Sequence, residues 1–431
     1  MSTRRSAARR LVAGALCAGV LAALTACGGG GAEDGKITLR FSWWGNPERA
    51  ELTQKAIDLF EQKNPDIEVQ PSFAEFEAYW QKMATEVSGG GGPDVLQMDY
   101  SYLKQYASRN LLLDLKPQAD SGVLKLGDFR PGLAETGVID GKQVAVPMAG
   151  NTLAMFYRAD ALEKAGVEEP EAGWSWDDYH QLIQQVTDAK VDDKMTGGTD
   201  YTSQYHFMEL WLRQQGKSFY TEDGKLNFTK DDLRTWWNQT QKLRDANALL
   251  SAQRAEQLAP NPAISAGEAA TEISWDNFLA RYTGEAPDVK FGMVAPPTSN
   301  PDNSGLYLKP SMLLSVSART EHPTEAAKLV DFLVNDPEAA KILGTNRGIP
   351  ATNAALDAIE LNEVDKQIVE YEKSVEDSMQ PAPPPPPPGA GSIEQTFSDI
   401  NEEINFKRTT VDQAVEKFFS EAEQALKAGA S

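Results

Sequence analysis

From Lys36 the chain opens on an alternation. Ile37, Leu39, Phe41 and Trp43 fall on one face and Thr38, Arg40 and Ser42 on the other, which predicts a half-buried strand over residues 36–44. Gly45-Asn46-Pro47 breaks the alternation, and the period lengthens. Leu52, Ala56, Ile57, Leu59 and Phe60 recur at helical spacing, predicting a helix over 48–64 that Pro65 stops. A strand over 67–71, a helix over 76–87 ended by the glycines 89–92, a strand over 93–98 and a helix over 102–109 follow. Strand–helix–strand order of this kind predicts an α/β fold with a largely parallel sheet. Further along, Asp140-Gly141-Lys142 reads as a turn before strands over 144–147 and 152–157. A short helix over 159–165 is closed by Gly166, and Ser175 caps a helix running to 188. Residues 205–250 are mostly helical, strands are expected at 270–274, 291–294 and 307–316, and a helix at 324–335. Residues 381–388 are nearly all proline, a stiff extended segment. A last helix spans 401–428 with an indistinct register around Thr409-Thr410, and no internal repeat is visible.

The first 26 residues follow another rule. Arg4, Arg5, Arg9 and Arg10 precede an apolar run over 11–24 and then Thr25-Ala26-Cys27, the zones of a signal peptide. The run is short for a membrane span. Leu24-Thr25-Ala26-Cys27 resembles the bacterial lipobox, which makes Cys27 the lipid-attachment residue and 27–35, with its glycine run, a flexible tether. The other reading is an ordinary secretory cleavage site with Cys27 an incidental thiol. Cys17 lies in the segment to be removed, so the mature chain has no disulfide. The arginine pairs leave both the general and the twin-arginine export routes open.

Composition narrows the function. The chain has 431 residues, enough for two lobes, with 41% hydrophobic and 24% charged residues, and its formal charge is −22. Such a surface repels nucleic acid and anionic headgroups, so no nucleic-acid partner is expected. His180, His206 and His322 are too scattered for a metal site or a triad, and neither Gly-x-Ser-x-Gly nor His-Glu-x-x-His occurs. No catalytic residue, metal or cofactor is assigned. Asp and Glu number 63, so an opposed carboxylate pair is not excluded by counting, and a secreted glycan-active enzyme stays as an alternative.

Several ordered pieces carry a family resemblance. They are Leu59-Phe60-Glu61-Gln62-Lys63-Asn64-Pro65 closing the first helix, Gly92-Pro93-Asp94-Val95, Leu111-Leu112-Leu113-Asp114-Leu115, and Asp140-Gly141-Lys142 leading to Val146-Pro147. Ala154-Met155-Phe156-Tyr157-Arg158, Trp174-Ser175-Trp176-Asp177-Asp178 and Ala326-Ala327-Lys328-Leu329-Val330-Asp331-Phe332-Leu333 complete the set. In this order, behind a lipobox, the chain resembles the family 1 extracellular solute-binding proteins of carbohydrate ABC transporters, which are similar to maltose-binding protein. The resemblance runs from Ile37 to about Leu426. It implies a two-lobed periplasmic-binding-protein fold of type II, α/β, each lobe a mixed sheet flanked by helices, with the ligand cleft between lobes. It places residues 36–135 and about 296–318 in the N-terminal lobe and 136–295 and about 319–431 in the C-terminal lobe. Crossings are expected near 133–138, 294–297 and 318–323. The implied function is capture of a sugar or oligosaccharide by lobe closure and delivery to the permease subunits of an ABC importer. The protein would be a monomer held on the outer face of the cell membrane by lipidated Cys27. A binding protein for a polyamine, amino acid or peptide is the alternative.

A sugar offers apolar CH faces and hydroxyls, so aromatic platforms and polar groups beyond strand carboxyl ends are the candidates. Trp43 and Trp44 point to opposite faces of one strand, so one can be core and the other can line the cleft. Asn46 follows them. Phe76 and Trp80 share a helix face, either in the cleft or in the core. Asp99 could accept from hydroxyls or cap a helix, and Tyr100 follows it. By the resemblance, Asn151 lies where relatives carry a polar sugar contact, Tyr157 matches an aromatic that either lines the cleft or packs in the core, and Trp275, with Asp276 and Asn277, lies near where relatives place a stacking tryptophan of the second lobe. Trp211, Trp174, Trp176, Trp236 and Trp237 read as packing residues. Arg347 could reach the cleft or form a surface ion pair. A uronic acid would need a basic partner, for which Arg49 and Arg347 are the candidates. The proline run, with Ser392 and Ile393, is either cleft wall or connector.

Overall fold

The computed structural model describes residues 36–429, so the signal segment, Cys27 and the tether lie outside the described residues. The strands are β1 (Ile37–Trp44), β2 (Ile67–Ala74), β3 (Val95–Met98), β4 (Val138–Ile139), β5 (Lys142–Gln143) and β6 (Val146–Asn151). They continue with β7 (Leu153–Arg158), β8 (Thr271–Trp275), β9 (Phe291–Val294), β10 (Lys309–Val316) and β11 (Ile349–Pro350). A six-stranded sheet has the order β11-β6-β10-β3-β1-β2. Its β1, β2 and β3 are parallel, β10 runs antiparallel to β3, β6 antiparallel to β10, and β11 antiparallel to β6.

The alternation in β1 settles how this sheet is covered. Leu39, Phe41 and Trp43 pack under the helix Pro47–Lys63 with Ile57 and Phe60, while Trp44 joins Tyr79, Trp80, Leu96 and Met98 on the other face. The result is a sheet between two layers of helices. A second core surrounds the antiparallel sheet β8-β7-β9. Around it pack Trp176–Ala189, Tyr205–Gln214, Lys230–Asn238, Glu363–Val375, Ala390–Asn405 and Val411–Gly429.

The chain passes between the two sheets at Thr152, between β6 and β7, and again through 295–308, between β9 and β10. The boundaries expected at 135 and 319 are corrected by this pairing. β6 and β11 belong to the six-stranded sheet, and the helices Pro323–Asn335 and Pro337–Leu343 bury Leu329, Val330, Leu333 and Leu343 in its core. The physical reason is β10. It inserts between β3 and β6, so the helix that follows folds back on the same sheet, and no crossing occurs at 318–323.

Local expectations hold where the chemistry is local. Asp140 and Gly141 have φ of 50° and 75°, a tight two-residue turn joining β4 and β5. Ser175 and Asp178 form a reciprocal capping box on Trp176–Ala189. Replacing Ser175 with alanine is expected to lower the unfolding free energy by about 1 kcal/mol. Urea unfolding checks this; a cost indistinguishable from zero would mean solvent caps the helix equally well. The expected terminal helix is two helices. Lys407, at φ 57°, lies in the break between Asn405 and Val411, where the sequence register was indistinct.

Candidate functional site

The link between β6 and β7 organises the space between the two sheets. Thr152 is fully buried and donates its N–H to Asp276 Oδ2 (2.8 Å) and its Oγ1 to the Tyr307 carbonyl (2.9 Å). On one side of this link Asn151 pairs with Lys309; on the other Leu153 pairs with Trp275. The Lys309 ammonium sits 5.0 Å from the Trp275 ring centroid, and the His206 ring lies 5.4 Å from it. Trp275 is half-buried and, with His206, borders a cavity of about 1150 Å3 lined by the second half alone, which extends past Asp200 and Glu272 to Asn401 and Glu402.

The two halves touch through Tyr100 and Lys104. Tyr100 is buried and donates its hydroxyl to the Pro383 carbonyl (2.7 Å), and Lys104 Nζ donates to the Glu222 carbonyl (2.8 Å). Extended proline backbone has no internal hydrogen bonds, so its carbonyls are free to accept. Arg213 Nη2 takes the Pro381 carbonyl (2.8 Å) and fixes the run from the other side.

The charges near this contact are coupled. Burial raises the pKa of Glu394, the Lys309 charge opposes the rise, and the Asp99 and Glu209 charges add to it. Glu394 keeps contact with solvent while the surrounding protein desolvates it, as expected of a group lining a cleft. Glu209 is buried, accepts from the Tyr307 hydroxyl (3.0 Å), and is also raised by burial. Burial and then the Lys309 charge push His206 down to about 3, so its ring is neutral at pH 7 and offers one donor and one acceptor. These groups can grip hydroxyls without carrying a nucleophile–base pair.

The expected site residues separate into those near this contact and those in the core. Asp99 is half-buried and caps the helix Tyr100–Ser108 by accepting from Ser101 N (2.9 Å). Trp43 is fully buried and Trp44 nearly so, so neither presents an open face; aromatic packing consumed both. Trp44 meets Phe76, Tyr79 and Trp80 at 5.4–5.9 Å, and Trp80 stacks on Tyr102 at 3.9 Å. Phe76 remains 41% exposed and is the open aromatic of that cluster. Asn46 is exposed and caps the helix Pro47–Lys63. Asn151 is half-buried, and its Oδ1 has no partner. Asn277 is exposed at the start of Phe278–Glu285. Arg347 is buried beneath the strand ends, so the surface ion pair considered for it is absent. Tyr157 donates to Glu169 (2.6 Å) beside the second core. Sequence reasoning missed Tyr205, His206, Glu209, Lys309 and Glu394. Only His206 carried a signal, as one of three histidines beside an aromatic.

Among the described residues no group of three or more His, Cys, Asp or Glu could hold a metal ion, and no helix is long and apolar enough to cross a membrane. Residues 44–340 match the family described as bacterial extracellular solute-binding protein. The chain belongs to that family. Its members are solute-binding proteins of ABC transporters, binding proteins rather than enzymes, and extracytoplasmic. An extracellular solute-binding protein family 1 structure from Alicyclobacillus acidocaldarius superposes with a TM-score of 0.75 at 29% identity, covering 91% of this chain and 98% of that one. An uncharacterized lipoprotein of the oleD 5′ region of Streptomyces antibioticus is 25% identical over 360 residues, 78% of this chain and 75% of its own. The arabinooligosaccharide-binding protein of Bacillus subtilis is 29% identical over 147 residues, 34% of this chain and 32% of its own.

Glu272, beside the cavity, is pushed up to about 7, chiefly by burial, against an acceptor bond from the Tyr282 hydroxyl (2.9 Å). The folded state therefore holds a proton that the unfolded chain loses at about pH 4.3, the ordinary range of a Glu side chain. Stability falls as pH rises from about 4.3 to 7, by up to about 1.4 kcal/mol per pH unit for this proton. Glu272→Gln should remove that share of the slope in urea unfolding measured across this range. An unchanged slope would mean that Glu272 ionises normally.

Proposed function

We propose that this solute-binding protein captures a carbohydrate between two lobes and delivers it to the permease of an ABC importer, tethered to the outer face of the membrane by lipidated Cys27. One lobe would comprise residues 36–151 and 309–358, the other 152–308 and 359–429. The observation that carries this reading is the meeting of the two halves. Tyr100 of one half bonds the proline run of the other, the Asp99 charge acts on Glu394 and Tyr205, and beside Tyr205 the His206 ring packs against Trp275, a mixture of aromatic surface and hydroxyl-binding polar groups. Closing the lobes would remove water from these groups and strengthen each hydrogen bond to the sugar. The name of the Bacillus subtilis relative supports a sugar solute, and that of the Streptomyces antibioticus relative supports the anchor.

The carboxylates Asp99, Glu209 and Glu394 are what a polyamine would need. Each already has an answer within the protein: Asp99 caps Ser101, Glu209 takes the Tyr307 hydroxyl, and the Lys309 charge acts on Glu394. Thermal shift against mono-, di- and oligosaccharides, uronic acids, amino acids and polyamines tests the reading. A ligand at a hundredfold excess over its Kd stabilises the folded state by about 2.7 kcal/mol. A shift with a sugar class is expected; a shift with polyamines alone overturns the carbohydrate assignment.

A further inference from the structure

Among the described residues, the buried arginines pair with carboxylates, with one exception. Arg130 meets Glu372 at 2.8 Å and Arg158 meets Asp160 at 3.3 Å. Arg347, 6% exposed, meets no carboxylate. Its Nη2 donates to Thr53 Oγ1 (2.7 Å), its Nε reaches Gln97 Oε1 at 3.4 Å, and its Nη1 has no acceptor. The charge that acts on it, that of Arg49, is of the same sign. Half-buried Arg49 donates to Asn346 Oδ1 and to the Asn346 carbonyl, both at 2.9 Å, and to the Trp44 carbonyl at 3.4 Å. Burial and the Arg49 charge together hold Arg347 down to about 9. Two guanidiniums are thus answered only by neutral dipoles.

Both lie at the carboxyl ends of the parallel strands. Trp44 ends β1, and Gln97 lies two residues before Asp99 at the end of the parallel strand β3. Arg49 stands in the first turn of the 17-residue helix Pro47–Lys63, whose amino end favours negative charge. Phe76, 41% exposed, packs on Trp44 and offers an apolar face near the same strand end.

We infer that the solute carries a carboxylate, as a uronic-acid sugar does, and that Arg49 and Arg347 receive it. The inference rests on the carbohydrate reading and deepens it. A carboxylate presents two oxygens to a guanidinium fork and neutralises charge, which a sugar hydroxyl does not. Asp99, Glu209 and Glu394 repel an acid group, so the solute's acidic end goes to the arginines and its hydroxyls to the carboxylates.

The test compares uronic-acid oligosaccharides with the hexose oligosaccharides of the same linkage, by calorimetry on the full-length chain. The acid is expected to bind at least about tenfold more tightly, an advantage that shrinks in about 0.5 M salt. In Arg49→Gln and Arg347→Met the acid-to-hexose ratio should fall to within about threefold. Neither variant should melt below the parent without ligand, since an unanswered charge is removed; a purely structural role would lower the melting temperature. If Arg347→Met fails to fold, that also counts for a structural role, and Arg49→Gln supplies the affinity ratio. Hexose oligomers binding as well as uronates would overturn the inference and leave the carbohydrate reading standing. Sulfate or phosphate stabilising the protein as well as uronates would also overturn it, as a simple anion site. Binding of neither sugar class would count against both readings.

Discussion

Replacing Glu372 with alanine is expected to lower the free energy of unfolding by about 3–5 kcal/mol. The Glu372 side chain is 2% exposed and that of Arg130 10%, and Arg130 Nη2 meets Glu372 Oε2 at 2.8 Å. Truncation would leave a guanidinium in a dry site with no countercharge. The pair also spans the two cores. Arg130 N–H donates to the Ala351 carbonyl beside β11, whereas Glu372 lies on Glu363–Val375, which packs against the second sheet. A third group completes the junction. Asp276 is fully buried beside Glu372, and burial, then the Glu372 charge, raises its pKa well above the carboxylate range. Glu372 is itself raised by burial, and the Arg130 charge opposes that rise. Urea unfolding of Glu372→Ala, Glu372→Gln and Arg130→Met/Glu372→Met separates these contributions. The amide keeps the shape and should cost less than alanine, and the double variant, with both charges gone, should recover much of the loss. A cost below about 1 kcal/mol for alanine would mean that water reaches Arg130 and the junction is not dry.

The fold was legible where the signal is local. The alternation in β1, the proline at position 65 and the capping box at Ser175 each act within a few residues, and the structure has each element where the pattern placed it. Which sheet a strand joins is decided by partners far along the chain. Nothing in the residues of β10 announces that it will lie between β3 and β6, so the boundary near 319 was misplaced. The site was legible in part. Trp43 and Trp44 were ambiguous because a strand fixes opposite faces but not which face is covered, and here helices cover both. Glu209, Glu394 and Lys309 carry no pattern in the sequence. They come from a helix, a second helix and a strand, and gain meaning only when those elements converge. Arg347 was visible as a charge, yet its want of a carboxylate is a property of the packed neighbourhood.

Trp275→Ala is expected to weaken carbohydrate binding by about 10- to 100-fold, since a buried aromatic anchor contributes ~1.4–2.8 kcal/mol. Trp275 ends β8 opposite Leu153, one residue past the link between the sheets, so its backbone is fixed. Its ring is half-buried, and the Lys309 ammonium at 5.0 Å occupies part of one face. Losing the ring removes an apolar surface from the cavity and also the seat that orients Lys309 toward Glu394. Trp275→Phe keeps a smaller ring and should lose less. Stability should change less than affinity, because the ring packs at the edge of the second core and not inside it. Calorimetry with whichever sugar the thermal screen selects, alongside urea unfolding of both variants, measures the two effects separately. An affinity loss under about threefold for Trp275→Ala would move the platform to another aromatic, exposed Phe76 or half-buried Tyr205. A loss of stability as large as the loss of binding would make Trp275 a packing residue that happens to border the cavity.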